Sequence, residues 1–328
     1  MKAAVIGSGN MGTALAHLLA DNGHSVVCWD HIPEVVEDIR KNHRNEKFLP
    51  GITLPSSVTA NLLLNQVVRE AQVIFVAVPS LYFRHVVKEF SPFATSEAAV
   101  VGTSKGLEVN SQKRMSQVYA ESAMHDADHY VALSGPSIAN DFAQKKQTAV
   151  VLASPSHSAL QKAVTVLANP YFRVETSDDL VGVELGGVVK NIYALGFGLL
   201  DGFHKESPNL KAAFVTMALR EMKAISVQLG AREKTLEGLA GLGDLVTSGF
   251  SADSHNRKLG EFLAQGVEYD KAIQQLGGVV PEGVHTLPVI LEMAGGTLET
   301  PLARLIQTCL NQPAARAKFV DEVWKIVS

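Results

Sequence analysis

The sequence predicts an α/β protein, with a doubly wound parallel sheet over residues 1–178 followed by an all-helical domain over residues 179–328. Three observations carry this expectation. Ala3-Ala4-Val5-Ile6 is a short apolar run that leads directly into Gly7-Ser8-Gly9-Asn10-Met11-Gly12 and then a helical pattern. Further apolar runs alternate with helical stretches through the first half, which implies strands joined by crossover helices. After about Asp178 the alternation stops and the pattern becomes helical.

The elements follow in order. A strand feeding G-x-G-x-x-G at a helix start makes an anion site, because main-chain N–H groups and the helix dipole both favour negative charge. In the Rossmann-type fingerprint, Gly7 permits the tight turn, Gly9 lets a pyrophosphate approach, and Gly12 allows close packing of helix on strand. Residues 13–22 place Ala14, Leu15, Leu18 and Leu19 at helical spacing, with Gly23 as the stop. Residues 25–29 read as a second strand. It ends at Asp30, eighteen residues after Gly12, near where a carboxylate binds the ribose hydroxyls of a dinucleotide. Residues 73–78, 98–102, 130–133, 148–153 and 172–174 are further strands, their near-continuous apolar runs fitting a sheet covered on both faces. Residues 81–90 look helical. So do 180–202, 210–230, 232–236, 256–265, 269–276, 284–294 and 301–311.

Composition narrows the class. Hydrophobic residues make up 46% and charged residues 19%, as in a globular protein. Twenty-nine basic and 33 acidic residues give a net charge of −4 without a long basic run, so nucleic acid is not an expected partner. Cys28 and Cys309 are the only cysteines and do not form a C-x-x-C pair, which points away from a disulfide framework and towards a reducing compartment. The glycine turn would interrupt a signal-peptide core, so a cytoplasmic location is expected. Residues 180–200 are largely apolar but carry Glu184, Lys190 and five glycines. A central lysine costs about 2.5–3.5 kcal/mol on insertion, so the segment reads as a buried core helix rather than a membrane span.

In open α/β sheets ligands sit beyond the carboxyl ends of strands. The polar groups there are Asp30-His31, Pro79-Ser80, Thr103-Ser104-Lys105-Gly106 and Ser134-Gly135-Pro136-Ser137. A loop lysine is usually solvated, but Lys105 directly follows a buried strand and precedes a glycine. Residues 134–137 could supply donors where a helix begins, or form an ordinary capped turn. Lys190-Asn191 falls mid-helix, where a lysine must snorkel, pair or face a polar cavity. Glu184 lies on a different side of that helix and is a poor partner. The segment Gly238-Leu239-Ala240-Gly241-Leu242-Gly243-Asp244 reads as a loop that combines close backbone approach with a carboxylate, or simply caps a helix. Ser254-His255-Asn256-Arg257-Lys258 reads as a basic helix start suited to an anion, or as a solvated cap. His125-Asp126-Ala127-Asp128-His129 looks like a metal cluster only superficially; it lies between helix and strand, and no metal is expected.

With these residues in hand, the chain resembles the NAD(P)-dependent glycerol-3-phosphate dehydrogenase family of bacterial type over nearly its whole length. The likeness rests on residues 7–12, Trp29-Asp30-His31, and residues 103–107, 134–139, 182–191, 238–245 and 282–283. Val189-Lys190-Asn191 and Gly241-Leu242-Gly243-Asp244-Leu245 are the most specific parts. The resemblance implies a Rossmann domain, a helical C-terminal domain, and interconversion of dihydroxyacetone phosphate and sn-glycerol 3-phosphate. It makes Lys190 the acid/base, with Lys105 and Asp244 at the catalytic site. Lys105, Gly135, Ser137, Asp244, Ser254, His255 and Asn256 fall near substrate. Gly7, Gly9, Asn10, Met11, Gly12, Asp30, His31, Lys105, Ala139, His255, Val280 and Glu282 fall at cofactor positions.

Some positions depart from the family. His255 stands where the family commonly has arginine in S-R-N-R, and a histidine cannot form a bidentate clamp on phosphate, which leaves three readings: weaker phosphate affinity, compensation by Arg257, or a different substrate. Thr216-Met217-Ala218 replaces T-R-G, and Pro281 interrupts V-V-E-G. Many bacterial members have glycine at Asp30. A carboxylate there binds ribose hydroxyls and repels a 2′-phosphate, so NAD is the expected cofactor, with NADH preferred and NADPH possible. A homodimer is expected as the commonest assembly. Two other readings stay open: the same lysine chemistry on another small hydroxy or keto compound, and a dinucleotide sensor without turnover.

Overall fold

A computed structural model of the chain describes residues 1–203, 207–295 and 298–327. The chain divides into two compact units. The first comprises Met1–Glu108 and Lys113–Leu180, the second Val109–Gln112 and Val181–Ser328.

The first unit is built on ten strands: β1 (Lys2–Ile6), β2 (Ser25–Trp29), β3 (Val58–Asn61), β4 (Val73–Val76), β5 (Ala99–Gly102), β6 (Leu107–Glu108), β7 (Lys113–Arg114), β8 (Tyr130–Ser134), β9 (Thr148–Ala153) and β10 (Phe172–Ser177). Eight form one sheet in the order β10-β9-β8-β5-β4-β1-β2-β3, and β6 and β7 pair separately as an antiparallel hairpin. Its helices are α1 (Asn10–Asp21), α2 (Pro33–Asn42), α3 (Leu64–Val68), α4 (Ser80–Phe90), α5 (Met115–Ser122), α6 (Ala139–Ala143) and α7 (His157–Leu167). β1 lies between β2 and β4, parallel to both, so Ala3 through Ile6 are buried. That explains an unbroken apolar run where a half-exposed strand would alternate.

The sheet departs from the expectation in two ways, a reversal of direction at β9 and an additional strand, β3. β9 runs antiparallel to β8, with Ala132 opposite Ala153 and Ser134 opposite Val151. The link between them contains only the five-residue α6. Such a helix spans about 7 Å, too little to return the chain along a strand of about 17 Å. The eleven-residue α7 does make that return, and β10 is parallel to β9. β3 carried no apolar signal because Val58 and Ala60 are buried while the intervening Thr59 is exposed at the sheet edge.

The second unit is helical: α8 (Leu180–Gly202), α9 (Pro208–Gln228), α10 (Glu233–Glu237), α11 (Asp244–Phe250), α12 (His255–Ala264), α13 (Tyr269–Gln275), α14 (Glu282–Ala294), α15 (Pro301–Asn311), α16 (Pro313–Arg316) and α17 (Phe319–Val327). By length and composition α8 could cross a membrane, but 89% of its most apolar window is buried within the protein. Glycines bring its neighbours to backbone contact. An added Cβ would lie 1.8 Å from the Arg257 carbonyl at Gly198, and 2.1 Å from the Leu195 carbonyl at Gly260. α8 and α12 therefore touch main chain to main chain. Phe197 on α8 packs edge-on against Phe214 of α9, with ring centroids 4.7 Å apart. The buried Glu221 of α9 accepts the Leu302 and Ala303 N–H groups at 2.7 and 3.0 Å, which caps α15. Burial raises the Glu221 pKa, while those N–H groups and the Tyr193 hydroxyl oppose the rise.

Candidate functional site

In the first unit the glycine turn joins β1 to α1. Gly7 has φ +95°, and an added Cβ would meet the Ala77 carbonyl at 2.8 Å. At Gly12 an added Cβ would sit 1.8 Å from the Gly7 carbonyl, so only glycine lets α1 lie this close to the turn. At Gly9 an added Cβ meets nothing within 4 Å. A tight turn, a close helix and open space at the middle glycine fit the backbone approach of a pyrophosphate. Gly9 is the N-cap of α1 and has no side chain to fill the helix terminus.

Asp30 follows β2 and is buried at 5% exposure. Its Oδ2 accepts the Ser8 N–H at 2.8 Å and its Oδ1 accepts the Ile32 N–H at 3.0 Å. The carboxylate is thereby fixed against the turn. His31 is exposed, with Nδ1 3.3 Å from Asp30 Oδ1. Asn10 donates from Nδ2 to the Phe48 carbonyl at 2.8 Å and to Asn140 Oδ1 at 3.1 Å. Met11 packs on the hydrophobic core, and Ala139 is buried at the first position of α6.

β5 and β8 are parallel neighbours, so the loops after them emerge side by side. This brings together three sequence candidates. Half-buried Lys105 donates from Nζ to the Gly135 carbonyl at 3.0 Å and to Ser137 Oγ at 3.3 Å. Ser137 Oγ also donates to the Gly135 carbonyl, at 2.9 Å. Gly135 has φ +105°, which turns that carbonyl towards them.

The second unit holds a different cluster. Lys190 of α8 is 7% exposed, and its Nζ lies 3.0 Å from Asp244 Oδ1. Nζ also donates to Ser248 Oγ at 2.5 Å, and Ser248 donates weakly to Asp244 Oδ1 at 3.4 Å. Asp244 and Ser248 are 2% and 3% exposed. Both belong to α11, where an i,i+4 spacing puts them on one face. Sequence reasoning missed Ser248, although its position one helical turn after Asp244 was a usable signal. The glycine stretch before Asp244 is not a loop: residues Leu239–Gly243 form a π-helical turn leading into α11. Such turns widen the helix locally and are frequent at functional sites. Gly241 fits there because an added Cβ would lie 2.0 Å from the Leu236 carbonyl.

Asn256 bridges three helices. Its Nδ2 donates to Asn191 Oδ1 at 3.0 Å, and its Oδ1 accepts the Gly283 N–H at 2.9 Å. Ser254 caps α12, its Oγ accepting the Arg257 N–H at 3.3 Å. His255 stands in the first turn of α12 with part of its surface open to solvent and part covered by its surroundings. Partial burial first, and the Lys258 ammonium second, push its pKa below 6.5, against the pull of Asp253. Arg257 is committed elsewhere: its Nε and terminal nitrogen lie 2.6 and 2.5 Å from Asp201 Oδ2, whose Oδ1 is paired with Lys211 at 2.5 Å. Val280 is half-buried ahead of α14, and Glu282 opens that helix. Asp126, from the apparent metal cluster, instead caps a short turn by accepting the Asp128 N–H at 3.0 Å.

The chain as a whole is similar to known proteins. Models of the NAD-dependent glycerol-3-phosphate dehydrogenase N-terminus and C-terminus match residues 2–160 and 179–321. A protein of Pelotomaculum thermopropionicum named glycerol-3-phosphate dehydrogenase (NAD(P)+) is 40% identical over 265 residues, 80% of this chain and 76% of that one. A protein of the same name from Bacillus cereus is 38% identical over 265 residues, covering 80% and 78%. The crystal structure of a glycerol-3-phosphate dehydrogenase from Coxiella burnetii superposes with a TM-score of 0.91 at 31% identity, covering 99% of this chain and 98% of that one.

Proposed function

The chain belongs to the NAD-dependent glycerol-3-phosphate dehydrogenase family, and on that premise we propose that it interconverts dihydroxyacetone phosphate and sn-glycerol 3-phosphate with Lys190 as the acid/base. The observation that carries this reading is the buried Lys190–Asp244–Ser248 cluster. A buried ammonium with a fixed carboxylate partner is costly to keep, and perturbed charged groups of this kind cluster at functional sites. The nicotinamide cofactor, when bound, supplies or accepts the hydride. In the reducing direction Lys190 Nζ donates a proton to the oxygen of the substrate C2 carbonyl, and solvent returns that proton to the amine. In the oxidising direction the same nitrogen takes the hydroxyl proton. The ammonium also offsets negative charge growing on that oxygen. Asp244 and Ser248 hold Nζ in position.

Lys105, Gly135 and Ser137 are assigned to substrate, along with Ser254, His255 and Asn256. Neutral above its lowered pKa, His255 offers the phosphate a hydrogen bond rather than a charge. Arg257 cannot take over the lost clamp without leaving the Asp201 pair. His255 is also the observation that favours a second reading, a different small hydroxy or keto substrate. Gly7, Gly9, Asn10, Met11, Gly12, Asp30, His31, Ala139, Val280 and Glu282 are assigned to cofactor, Lys105 and His255 also serving it. The fixed negative charge of Asp30 supports a preference for NADH. The reading includes a homodimer and a cytoplasmic location; Cys28 and Cys309, both free and buried, suit a reducing compartment.

The test is steady-state turnover of dihydroxyacetone phosphate with each reduced cofactor. The reading expects turnover with both and a higher kcat/KM for NADH. Equal or better efficiency with NADPH would remove the role given to Asp30. Absence of turnover with either, despite dinucleotide binding, would remove the assigned activity.

A further inference from the structure

We propose that Asn45 is a positioning residue for the dinucleotide turn, acting with Thr13 to fix the peptide that presents the Gly9 N–H group. The inference rests on the reading that this turn binds a nicotinamide dinucleotide. Asn45 lies in the connection between α2 and β3, far from the turn in sequence, and is 1% exposed. Its Nδ2 donates to the Ser8 carbonyl and to Thr13 Oγ1, each at 2.7 Å. Thr13 Oγ1 donates to the same Ser8 carbonyl at 3.0 Å, closing a triangle. The Asn45 Oδ1 accepts the Phe48 N–H at 3.3 Å, so both ends of the amide are engaged. Ser8 and Thr13 are 0% and 1% exposed. A carboxamide buried this deeply is tolerated only because its polar atoms find partners.

What the triangle holds is one peptide plane. Ser8 precedes the N-cap Gly9, so its carbonyl lies outside the ladder of α1. The chain has no cis peptide bond among its described residues. In a trans peptide the carbonyl and the following N–H point in opposite directions. Two donors drawing the Ser8 carbonyl inward therefore aim the Gly9 N–H away from the buried pair. The preceding plane is fixed as well, by the Ser8 N–H on Asp30 Oδ2 at 2.8 Å. A glycine-rich turn is intrinsically loose, and here its looseness is removed by side chains from two other segments. Less of the binding free energy is then lost in ordering the turn when an anion arrives.

The experiment measures dissociation constants for NADH, ADP-ribose and adenosine on purified full-length protein by calorimetry or competition. The variants are Asn45→Ala, Thr13→Val and Thr13→Ser. Asn45→Ala and Thr13→Val are expected to weaken NADH and ADP-ribose about tenfold, the size of one well-placed hydrogen bond to an ionised group. Thr13→Ser keeps the hydroxyl and is expected to bind like the wild type. Adenosine has no pyrophosphate, so its affinity is expected to stay within about twofold, because it gains nothing from the Gly9 N–H. Unchanged ADP-ribose affinity in both disrupting variants overturns the inference. So does an equal loss for adenosine, which would mean general damage to the pocket. If Asn45→Ala does not fold, Thr13→Val carries the comparison alone. Failure of the wild type to bind ADP-ribose would instead contradict the dinucleotide reading itself.

Discussion

A lysine at 7% exposure beside an aspartate at 2% defines the residue scale. Removing one member of such a pair leaves the other charged and buried, at a cost of about 3–5 kcal/mol. Lys190→Ala therefore confounds loss of chemistry with loss of stability. The double variant Lys190→Ala/Asp244→Asn removes both charges. It is expected to melt near the wild type yet turn over about 10²–10⁴-fold more slowly. A double variant with near-normal kcat would show that Lys190 is not the acid/base. His255 allows a second residue-level test. Restoring the guanidinium with His255→Arg is expected to lower the KM for dihydroxyacetone phosphate, since a fixed, always-ionised fork replaces a mostly neutral imidazole. An unchanged KM would place residue 255 away from the phosphate.

At the scale of elements, legibility followed local physics. The β1–turn–α1 unit was readable because its glycines, apolar run and helical spacing are adjacent in sequence. Lys190 was readable because a charge inside an apolar helix demands an explanation. Ser248 was not, since a serine on a helix is unremarkable until the fold sets it 2.5 Å from a lysine. Asn45 was hidden for the same reason, being 37 positions from the Ser8 carbonyl it holds. β3 and the reversal of β9 escaped because edge strands lack an apolar run and pairing direction depends on the length of the connection. α1 also carries a pH-sensitive group. His17 is buried, and desolvation lowers its pKa below 6.5, with Asp21 opposing and Lys145 adding to the shift. A depressed folded-state value means the unfolded chain binds the proton more readily. The stability involved is present above the unfolded pKa and lost as pH falls through the folded one. His17→Leu is thus expected to lose less Tm than the wild type between about pH 7.5 and about pH 5.5. An identical Tm loss would mean that His17 does not contribute.

At the scale of the whole molecule, the chain joins a unit with a mostly parallel sheet, bearing the glycine turn, to a helical unit bearing the lysine cluster. The sequence marks that change where strand runs give way to the long apolar α8, a segment whose glycines and buried polar residues separate it from a membrane span. On the proposed function each unit makes a distinct chemical demand: the first binds the dinucleotide, and the second protonates a carbonyl oxygen. The most direct measurement joins the two demands. The protein is incubated with dihydroxyacetone phosphate and NADH carrying deuterium at C4 of the nicotinamide, on each face in separate experiments. The expected product is sn-glycerol 3-phosphate with deuterium at C2 from one of the two labelled cofactors, in step with NAD+ formation. Oxidation of the cofactor without label at C2, or no product from either, would contradict the account.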